Sequence, residues 1–287
     1  MTAAIWRDYD RQALDAQLNL RARTPEHGDF FARWARESGE TRARVSCRLD
    51  LAYGPAPGER LDFFPAEEAD APLLVFIHGG YWQALDKGDY SHLAPPFTGK
   101  GIAYASLNYT LAPAAGIGDM VQQVRRALRW LTQQAPHLGF DRERIVVAGH
   151  SAGGHLAVMA GLATGDEEMP ELRGIVSISG VYHLEPISLS YHQAVVRLDA
   201  DTIADASPLL LVRRGLPPLL AAVGADEPEE FRQQQDELIE AWRREGNDAV
   251  PLTLPGRHHF SACDALAEAG HDVHARTVRL LLEGRLT

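Results

Sequence analysis

Short runs of apolar residues alternate with amphipathic helical segments along most of this chain. The apolar runs have the length of strands that are covered on both faces, and the segments between them repeat apolar residues at helical spacing. We predict strands at 73–77, 102–107, 145–148, 175–178, 219–223 and 250–254. This alternation is typical of a mostly parallel sheet flanked by helices. Because proline is confined to sheet edges, Pro251 places the last strand near an edge.

The N-terminal residues 1–42 lie outside this alternation. Their apolar stripes predict helices, with a break at Thr24-Pro25, where proline suits the first turn of a second helix. This helical segment either covers an active site or packs against the body as an appendage, and the sequence leaves both interpretations open.

Two further segments depart from the alternation. Apolar and polar residues alternate at 45–51, and another strand is predicted at 60–64, so two antiparallel edge strands precede the parallel ones. Residues 182–216 are longer than an ordinary connection and predict a short cap or lid. We expect residues 1–287 to form one domain.

The charge of the chain limits its partners. Its 287 residues include 39 acidic and 28 basic side chains, which gives a formal net charge of −11. Nucleic acids and anionic membrane surfaces attract basic proteins, so we predict neither as a partner. A small neutral or weakly charged molecule fits better. The oligomeric state stays open, with a homodimer as one option.

Cysteine and histidine spacing gives no sign of a metal site. Cys47 and Cys263 are far apart, and we expect two small buried side chains rather than a disulfide. No H-E-x-x-H pattern occurs, and we predict neither a metal nor a cofactor.

The first twenty residues lack the apolar core of a signal peptide, and no apolar run reaches the roughly 18 residues of a membrane span. A cytoplasmic location is therefore expected.

The strongest local signal is the sequence Gly-His-Ser-Ala-Gly at 149–153, directly after a predicted strand and before a predicted helix. It matches G-x-S-x-G, the pattern of a nucleophilic serine on a sharp strand-to-helix turn. The two glycines leave room for that turn, and the helix points its N-terminal amides at developing negative charge. We therefore predict that Ser151 is the nucleophile of an acyl-transfer enzyme.

A nucleophilic serine needs a general base within reach. The run 255–260, with the sequence PGRHHF, follows the last predicted strand and offers two adjacent histidines. We choose His259 because Phe260 can anchor it, and we expect His258 to face away from the site.

The base in turn needs a carboxylate that accepts its second N–H. Asp226 and Glu227 both follow the fifth predicted strand, and either can do this chemically. Many hydrolases place the acid three residues after a glycine such as Gly224, which favours Glu227, whereas the commoner use of aspartate favours Asp226. We prefer Glu227 and keep Asp226 as the alternative.

Acyl transfer also needs hydrogen-bond donors for the oxyanion that forms on the carbonyl oxygen. The run 78–82, with the sequence HGGYW, follows the strand at 73–77. Glycines just after a strand allow backbone N–H groups to turn towards the site. We predict an oxyanion hole from the N–H groups of Gly80, Tyr81 and Ala152.

These motifs resemble those of the kynurenine formamidase (arylformamidase) group of the α/β-hydrolase superfamily, which is related to hormone-sensitive-lipase-type esterases. The group has a tryptophan after H-G-G-x, as here at Trp82. The likeness covers roughly residues 61–266. The similar segments are 78–82, 107–113, 149–154, 230–233 and 259–260.

The resemblance implies an α/β-hydrolase fold and a set of roles. They are Ser151 as nucleophile, Glu227 as acid, His259 as base, and Gly80, Tyr81 and Ala152 at the oxyanion. At the acid position, aspartate is commoner in eukaryotic members of the group, and the doubled histidine at 258–259 is a second departure.

The implied reaction is hydrolysis of an N-formyl aryl amide such as N-formyl-L-kynurenine, which releases formate and an arylamine. Tyr81 and Trp82 are expected to form an aromatic wall for the leaving group, although Trp82 suits core packing equally well. One alternative is a short-chain carboxylesterase with the same catalytic groups. A more remote one is a non-catalytic ligand-binding protein on this fold.

Overall fold

A sheet of eight strands runs through the part of the chain that this computed structural model describes, residues 3–163, 165 and 169–287. The strands are β1 (Arg48–Ala52), β2 (Arg60–Phe64), β3 (Ala71–Ile77), β4 (Ala103–Leu107), β5 (Phe140–His150), β6 (Leu172–Ile178), β7 (Leu219–Gly224) and β8 (Ala249–Leu254). Their order across the sheet is β1-β2-β4-β3-β5-β6-β7-β8.

The strand directions agree with the sequence. β1 pairs antiparallel with β2, and β2 pairs antiparallel with β4, whereas every pair from β4–β3 to β7–β8 is parallel. The prediction of a mostly parallel sheet led by two antiparallel strands is confirmed. β8, which contains Pro251, lies at an edge as expected. β5 starts at Phe140 rather than 145, because the predicted run is only its buried part and the more exposed residues 141–144 precede it.

Helices flank the sheet and connect its strands. They are α1 (Arg11–Leu18), α2 (Leu20–Arg23), α3 (His27–Arg44), a 3₁₀ helix (Lys87–Leu93), α4 (Pro95–Thr98), α5 (Ile117–Leu138), α6 (Ala152–Leu162), α7 (Glu185–Ser188), α8 (Gln193–Val196), α9 (Ala200–Ala206), α10 (Pro208–Leu211), α11 (Glu229–Arg244), α12 (His259–Asp264) and α13 (Asp272–Glu283). The amphipathic helices predicted around 120–131 and 231–242 are confirmed as α5 and α11. α5 ends at Leu138, and the following Gly139 closes the helix in the left-handed conformation, with a φ of 79°.

The N-terminal segment is helical as predicted, although α3 extends to Arg44 rather than to residue 42. The break at Thr24-Pro25 is present, but α3 begins only at His27. Side chains at the start of the chain attach this segment to α11. Trp6 Nε1 and Arg7 Nε each donate to the buried carboxylate of Glu230 at 3.0 Å.

A second contact attaches the N-terminal segment to α12. Trp34 Nε1 donates to Asp264 Oδ1 at 2.8 Å, and Arg33 Nη2 donates to Asp264 Oδ2 at 2.6 Å. Because Trp34 is itself fully buried among the core side chains, α3 is part of the packed body. The segment is therefore held at both ends, at α11 and at α12.

Residues 182–216 fold into the short helices α7 to α10. This cap segment is joined to α6 by His155, whose Nε2 donates to Ala206 O at 2.7 Å. It is joined to α11 by Gln234, whose Oε1 accepts the Tyr182 N–H at 2.6 Å. The motion of the cap segment as a lid stays a prediction.

Two further expectations concern membrane-spanning helices and the pairing of the cysteines. Within the described ranges, no helix is both long enough and apolar enough to span a membrane. Cys263 is buried, Cys47 is half-buried, and both are free, so the two cysteines form no disulfide. The cytoplasmic location, the single domain and the homodimer stay predictions.

The close packing of α6 against the sheet depends on Gly153. A Cβ at this position would lie 2.0 Å from Ile77 O and 2.5 Å from His78 O. Both obstacles are backbone atoms at the end of β3, so no side-chain rotation relieves the clash. Only glycine allows the helix to approach the sheet this closely.

We expect Gly153→Ala to lower the free energy of unfolding by about 3 kcal/mol, as overpacking against backbone does. The matched control is Gly118→Ala in α5, where an added Cβ meets nothing within 4 Å. That change is expected to stabilise the protein by roughly 0.5–1 kcal/mol, because alanine suits a helix better than glycine. Urea unfolding of both variants checks this, and a Gly153→Ala protein as stable as the control contradicts it.

Candidate active site

Ser151 occupies a strained turn between β5 and α6. β5 ends at His150 and α6 begins at Ala152, so the serine alone makes the turn, with φ 57° and ψ −122°. Such a conformation costs a residue other than glycine roughly 1–3 kcal/mol and persists only where the surroundings hold it. Here the Ser151 N–H donates to Ile178 O at 2.8 Å. Ser151 is 3% exposed and lines a cavity that the N-terminal helices cover.

His259 is the first residue of α12, and a carboxylate orients its ring. Its Nδ1 lies 2.7 Å from Glu227 Oε2, and the residues are 4% and 3% exposed. Because Nδ1 makes this bond, Nε2 is the ring nitrogen left for a hydroxyl. His259 lines the same cavity as Ser151. Among the described residues, no hydrogen bond joins the Ser151 hydroxyl to this ring; such contacts are often long before substrate binds.

The structure distinguishes the two candidate acids. Glu227 Oε1 accepts hydrogen bonds from Ser179 Oγ at 2.5 Å and from the Gly224 N–H at 2.8 Å, while Oε2 faces His259. Asp226 is exposed, and its backbone N–H donates to Arg257 O at 3.0 Å. Charge-assisted hydrogen bonds hold the Glu227 carboxylate in one orientation. Glu227, which the sequence analysis prefers to Asp226, is therefore the residue in contact with the imidazole of His259.

His258 faces away from the cavity, as expected. Its ring packs edge-on against Phe30, with 5.0 Å between centroids, and its Nδ1 accepts the Ser261 N–H at 3.4 Å. The sequence did not single out His150, which the structure places beside His259. His150 Nε2 donates to His259 O at 2.9 Å. Burial lowers the pKa of His150 well below its usual value, so this ring stays neutral and positions the loop.

The loop after β3 presents backbone donors close to Ser151. Gly80 and Tyr81 have φ values of 102° and 49°, so the chain turns sharply here. A Cβ on Gly80 would lie 2.2 Å from Ala84 O, which restricts this position to glycine. Within the described part of the chain, the N–H groups of Gly80, Tyr81 and Ala152 have no protein acceptor. All the predicted oxyanion donors are thus available to a substrate oxygen.

Tyr81 connects this loop to both helical segments outside the sheet. Its hydroxyl donates to Leu18 O at 2.8 Å in the N-terminal segment. Its ring stacks on His192 of the cap segment, with 3.8 Å between centroids. Burial raises the pKa of Tyr81 well above its usual value and lowers that of His192 to about 4. Both side chains are therefore neutral, and both segments fix the loop that carries the donors.

The expectation that Trp82 forms part of a substrate wall is wrong. Trp82 is fully buried and packs edge-on against His155, with 5.1 Å between ring centroids. Its φ of 58° continues the tight turn, and its carbonyl accepts the Ala112 N–H at 2.8 Å. These constraints hold the indole beneath the loop, which is the core-packing alternative, and it does not line the cavity.

Aromatic side chains from other elements line the cavity instead. Its volume is about 410 Å³, within the usual range for small-molecule sites. Apart from Tyr81, the aromatic lining comes from Phe31, Trp34, Tyr90, Tyr191 and Phe260. Sequence reasoning missed these residues. The sequence contains one signal for them, the cluster of aromatic residues at 30–34. It lies in the N-terminal segment, for which the sequence leaves open whether it covers an active site or packs as an appendage.

Within the described ranges, no group of three or more His, Cys, Asp or Glu side chains could hold a metal ion. What the site does contain is a hydroxyl, an imidazole bonded to a carboxylate, and free backbone N–H groups around one cavity. These are the groups that acyl transfer requires.

A family comparison agrees with this chemistry. The BD-FAE family model matches residues 61–242, more than half of the chain. The chain belongs to the BD-FAE family. The kynurenine formamidase of Danio rerio is 32% identical to it over 249 residues, which cover 83% of each protein. The kynurenine formamidase of Salmo salar is 30% identical over 266 residues, covering 88% of this chain and 87% of the relative.

Solved structures show the same fold for this BD-FAE member. A protein of Silicibacter sp. TM1040, provisionally described as a thioesterase, is 32% identical with a TM-score of 0.79, covering 91% of this chain and 97% of that one. An esterase of Pyrobaculum calidifontis has a TM-score of 0.72 at 22% identity, covering 94% and 96%. The predicted α/β-hydrolase fold is confirmed, and the protein is a hydrolase that resembles kynurenine formamidase.

We expect Glu227→Gln to lower kcat for p-nitrophenyl acetate by about 10⁴-fold, the loss typical when a triad acid becomes an amide. Asp226→Asn serves as the matched control and is expected to change kcat by no more than about twofold, since its side chain is exposed. Steady-state kinetics on both variants makes the comparison. A larger loss for Asp226→Asn reverses the choice of acid.

Proposed function

We propose that this hydrolase works through an acyl-enzyme on Ser151, with His259 as general base and Glu227 as the acid that orients it. The observation that carries this proposal is the 2.7 Å contact between Glu227 and His259 Nδ1 at the edge of the cavity that Ser151 lines. The positive φ of Ser151 supports it, because strain of this kind persists where function requires it.

In the proposed reaction, Ser151 Oγ attacks the substrate carbonyl and its proton passes to His259 Nε2. The Glu227 carboxylate stabilises the imidazolium that forms. The negative charge on the carbonyl oxygen is met by the N–H groups of Gly80, Tyr81 and Ala152, each worth about 2.7–4 kcal/mol in the barrier. His259 then gives the proton to the leaving group, and water hydrolyses the acyl-enzyme by the same steps.

The proposed substrate is an N-formyl aryl amine, with N-formyl-L-kynurenine as the first choice. Support comes from the two fish kynurenine formamidases, which match this chain over most of its length. The aromatic lining of the cavity suits an aryl leaving group, because aromatic pairs gain about 0.5–1.5 kcal/mol beyond buried area. A formyl group is the smallest acyl group and needs little space beside Ser151.

A short-chain carboxylesterase is the second candidate. It uses the same groups and differs only in the substrate that the cavity accepts. The esterase LipC of Mycobacterium tuberculosis, 29% identical over 255 residues, favours this alternative.

We expect kcat/KM for N-formyl-L-kynurenine to exceed that for p-nitrophenyl acetate when both are measured side by side. Ser151→Ala is expected to lower turnover of both by about 10⁶-fold, since the nucleophile is shared. Fast ester turnover beside weak formamidase turnover would make the carboxylesterase the better assignment. Near-normal activity in Ser151→Ala would refute the nucleophile.

A further inference from the structure

In the part of the chain that the structure describes, the lining of the cavity carries a single formal charge. The lining residues are aromatic, aliphatic or neutral polar, apart from three histidines and Arg21. Burial lowers the pKa of His150 well below its usual value and that of His192 to about 4, so both rings are neutral at pH 7. His259 is the proposed base, which accepts a proton from Ser151. Among the described residues that line the cavity, Arg21 is therefore the one permanent cation.

Arg21 has no carboxylate partner among the described residues, in contrast to Arg7 and Arg33. Arg7 pairs with Glu230 at 3.0 Å, and Arg33 pairs with Asp264 at 2.6 Å. The guanidinium carbon of Arg21 instead lies 5.7 Å from the centroid of the Phe31 ring. Contact with an aromatic ring leaves the planar N–H edge of a guanidinium free to bind a carboxylate in bidentate fashion.

The backbone that carries Arg21 is well fixed. Arg21 belongs to α2, where Asn19 Oδ1 accepts the Ala22 N–H at 3.2 Å and Leu20 is buried. Directly before α2, Leu18 O accepts the Tyr81 hydroxyl at 2.8 Å. This hydrogen bond joins the last residue of α1, three positions before Arg21, to the loop with the predicted oxyanion donors.

We propose that Arg21 binds a carboxylate on the leaving-group side of the substrate, so that the site selects aryl substrates with an anionic group beyond the ring. This inference rests on the proposed function. The acyl side of a formamide is a formyl group, which is too small to extend beyond Ser151, so only the aryl part of the substrate can reach Arg21. The net charge of −11 repels anions generally, and a lone cation at the cavity offsets this locally.

The test compares two matched pairs of substrates. The first pair is 4-(2-formamidophenyl)-4-oxobutanoate, which is N-formylkynurenine without its ammonium group, and the corresponding neutral carboxamide. The second pair is the acetate ester of hydroxyphenylpropanoate and that of its amide. We expect wild-type kcat/KM to favour the carboxylate in each pair by about tenfold, which corresponds to roughly 1.4 kcal/mol. Arg21→Gln is expected to abolish this preference, because it lowers kcat/KM for the carboxylate of each pair about tenfold more than for its neutral partner. Arg21→Lys should retain part of it, since the charge remains without the fork.

Arg11→Gln is the charge-matched control, because Arg11 is exposed on α1 and does not line the cavity. It is expected to keep the full preference, and added salt should reduce the preference in both this variant and the wild type. A carboxylate preference that survives Arg21→Gln overturns the proposal, as does an equal loss on charged and neutral substrates. If wild type cleaves neither formamide yet still prefers the charged ester, the formamidase assignment fails and the role of Arg21 stands.

Discussion

The parallel register of β3, β5, β7 and β8 is the constraint on which the site depends. Parallel strands end at the same edge of a sheet, so the loops that follow them meet there. Ser151 follows β5, Glu227 follows β7, His259 follows β8, and Gly80 with Tyr81 follows β3. Residues that are more than a hundred positions apart in sequence thereby surround one cavity. The 2.7 Å bond between Glu227 and His259 spans the loops after β7 and β8 and fixes the ring.

The N-terminal helices and the cap segment, both outside the sheet, form part of the cavity wall. The N-terminal helices contribute Phe31, Trp34 and Arg21 to the cavity, and the cap segment contributes Tyr191 and His192. Both converge on Tyr81, through the hydrogen bond to Leu18 O and through the stack on His192. Gly80 and Tyr81, two of the predicted oxyanion donors, thus lie on a loop held from two sides. Contacts of Glu230 and Asp264 attach the N-terminal helices to the body and so hold this arrangement from a distance.

Much of this arrangement was predictable because local patterns carry it. Buried parallel strands require continuous apolar runs, and a serine on a strand-to-helix turn requires glycines such as Gly153, so both leave traces in the sequence. For the choice between Asp226 and Glu227, the sequence offered only the spacing from Gly224, since the direction of each side chain decides which carboxylate reaches the imidazole. That direction is set by Ser179 and the Gly224 N–H, which the sequence does not place.

The burial of Trp82 and the aromatic lining of the cavity could not be predicted from the sequence for the same reason. A tryptophan beside a catalytic loop suits a substrate wall and a core equally well until the turn geometry is known. Phe31 and Trp34 face the cavity because α3 docks on α12 through Asp264, a contact between distant residues that periodicity does not reveal. Tertiary contacts, not local propensity, decide which aromatic residues line the cavity.

Covalent labelling with a fluorophosphonate, followed by peptide mass analysis, tests whether Ser151 is the nucleophile. We expect one adduct per chain, located on Ser151, with a labelling rate that falls sharply in His259→Ala because the hydroxyl loses its base. An adduct on another side chain, or a folded wild-type protein that remains unlabelled, contradicts the assignment of Ser151.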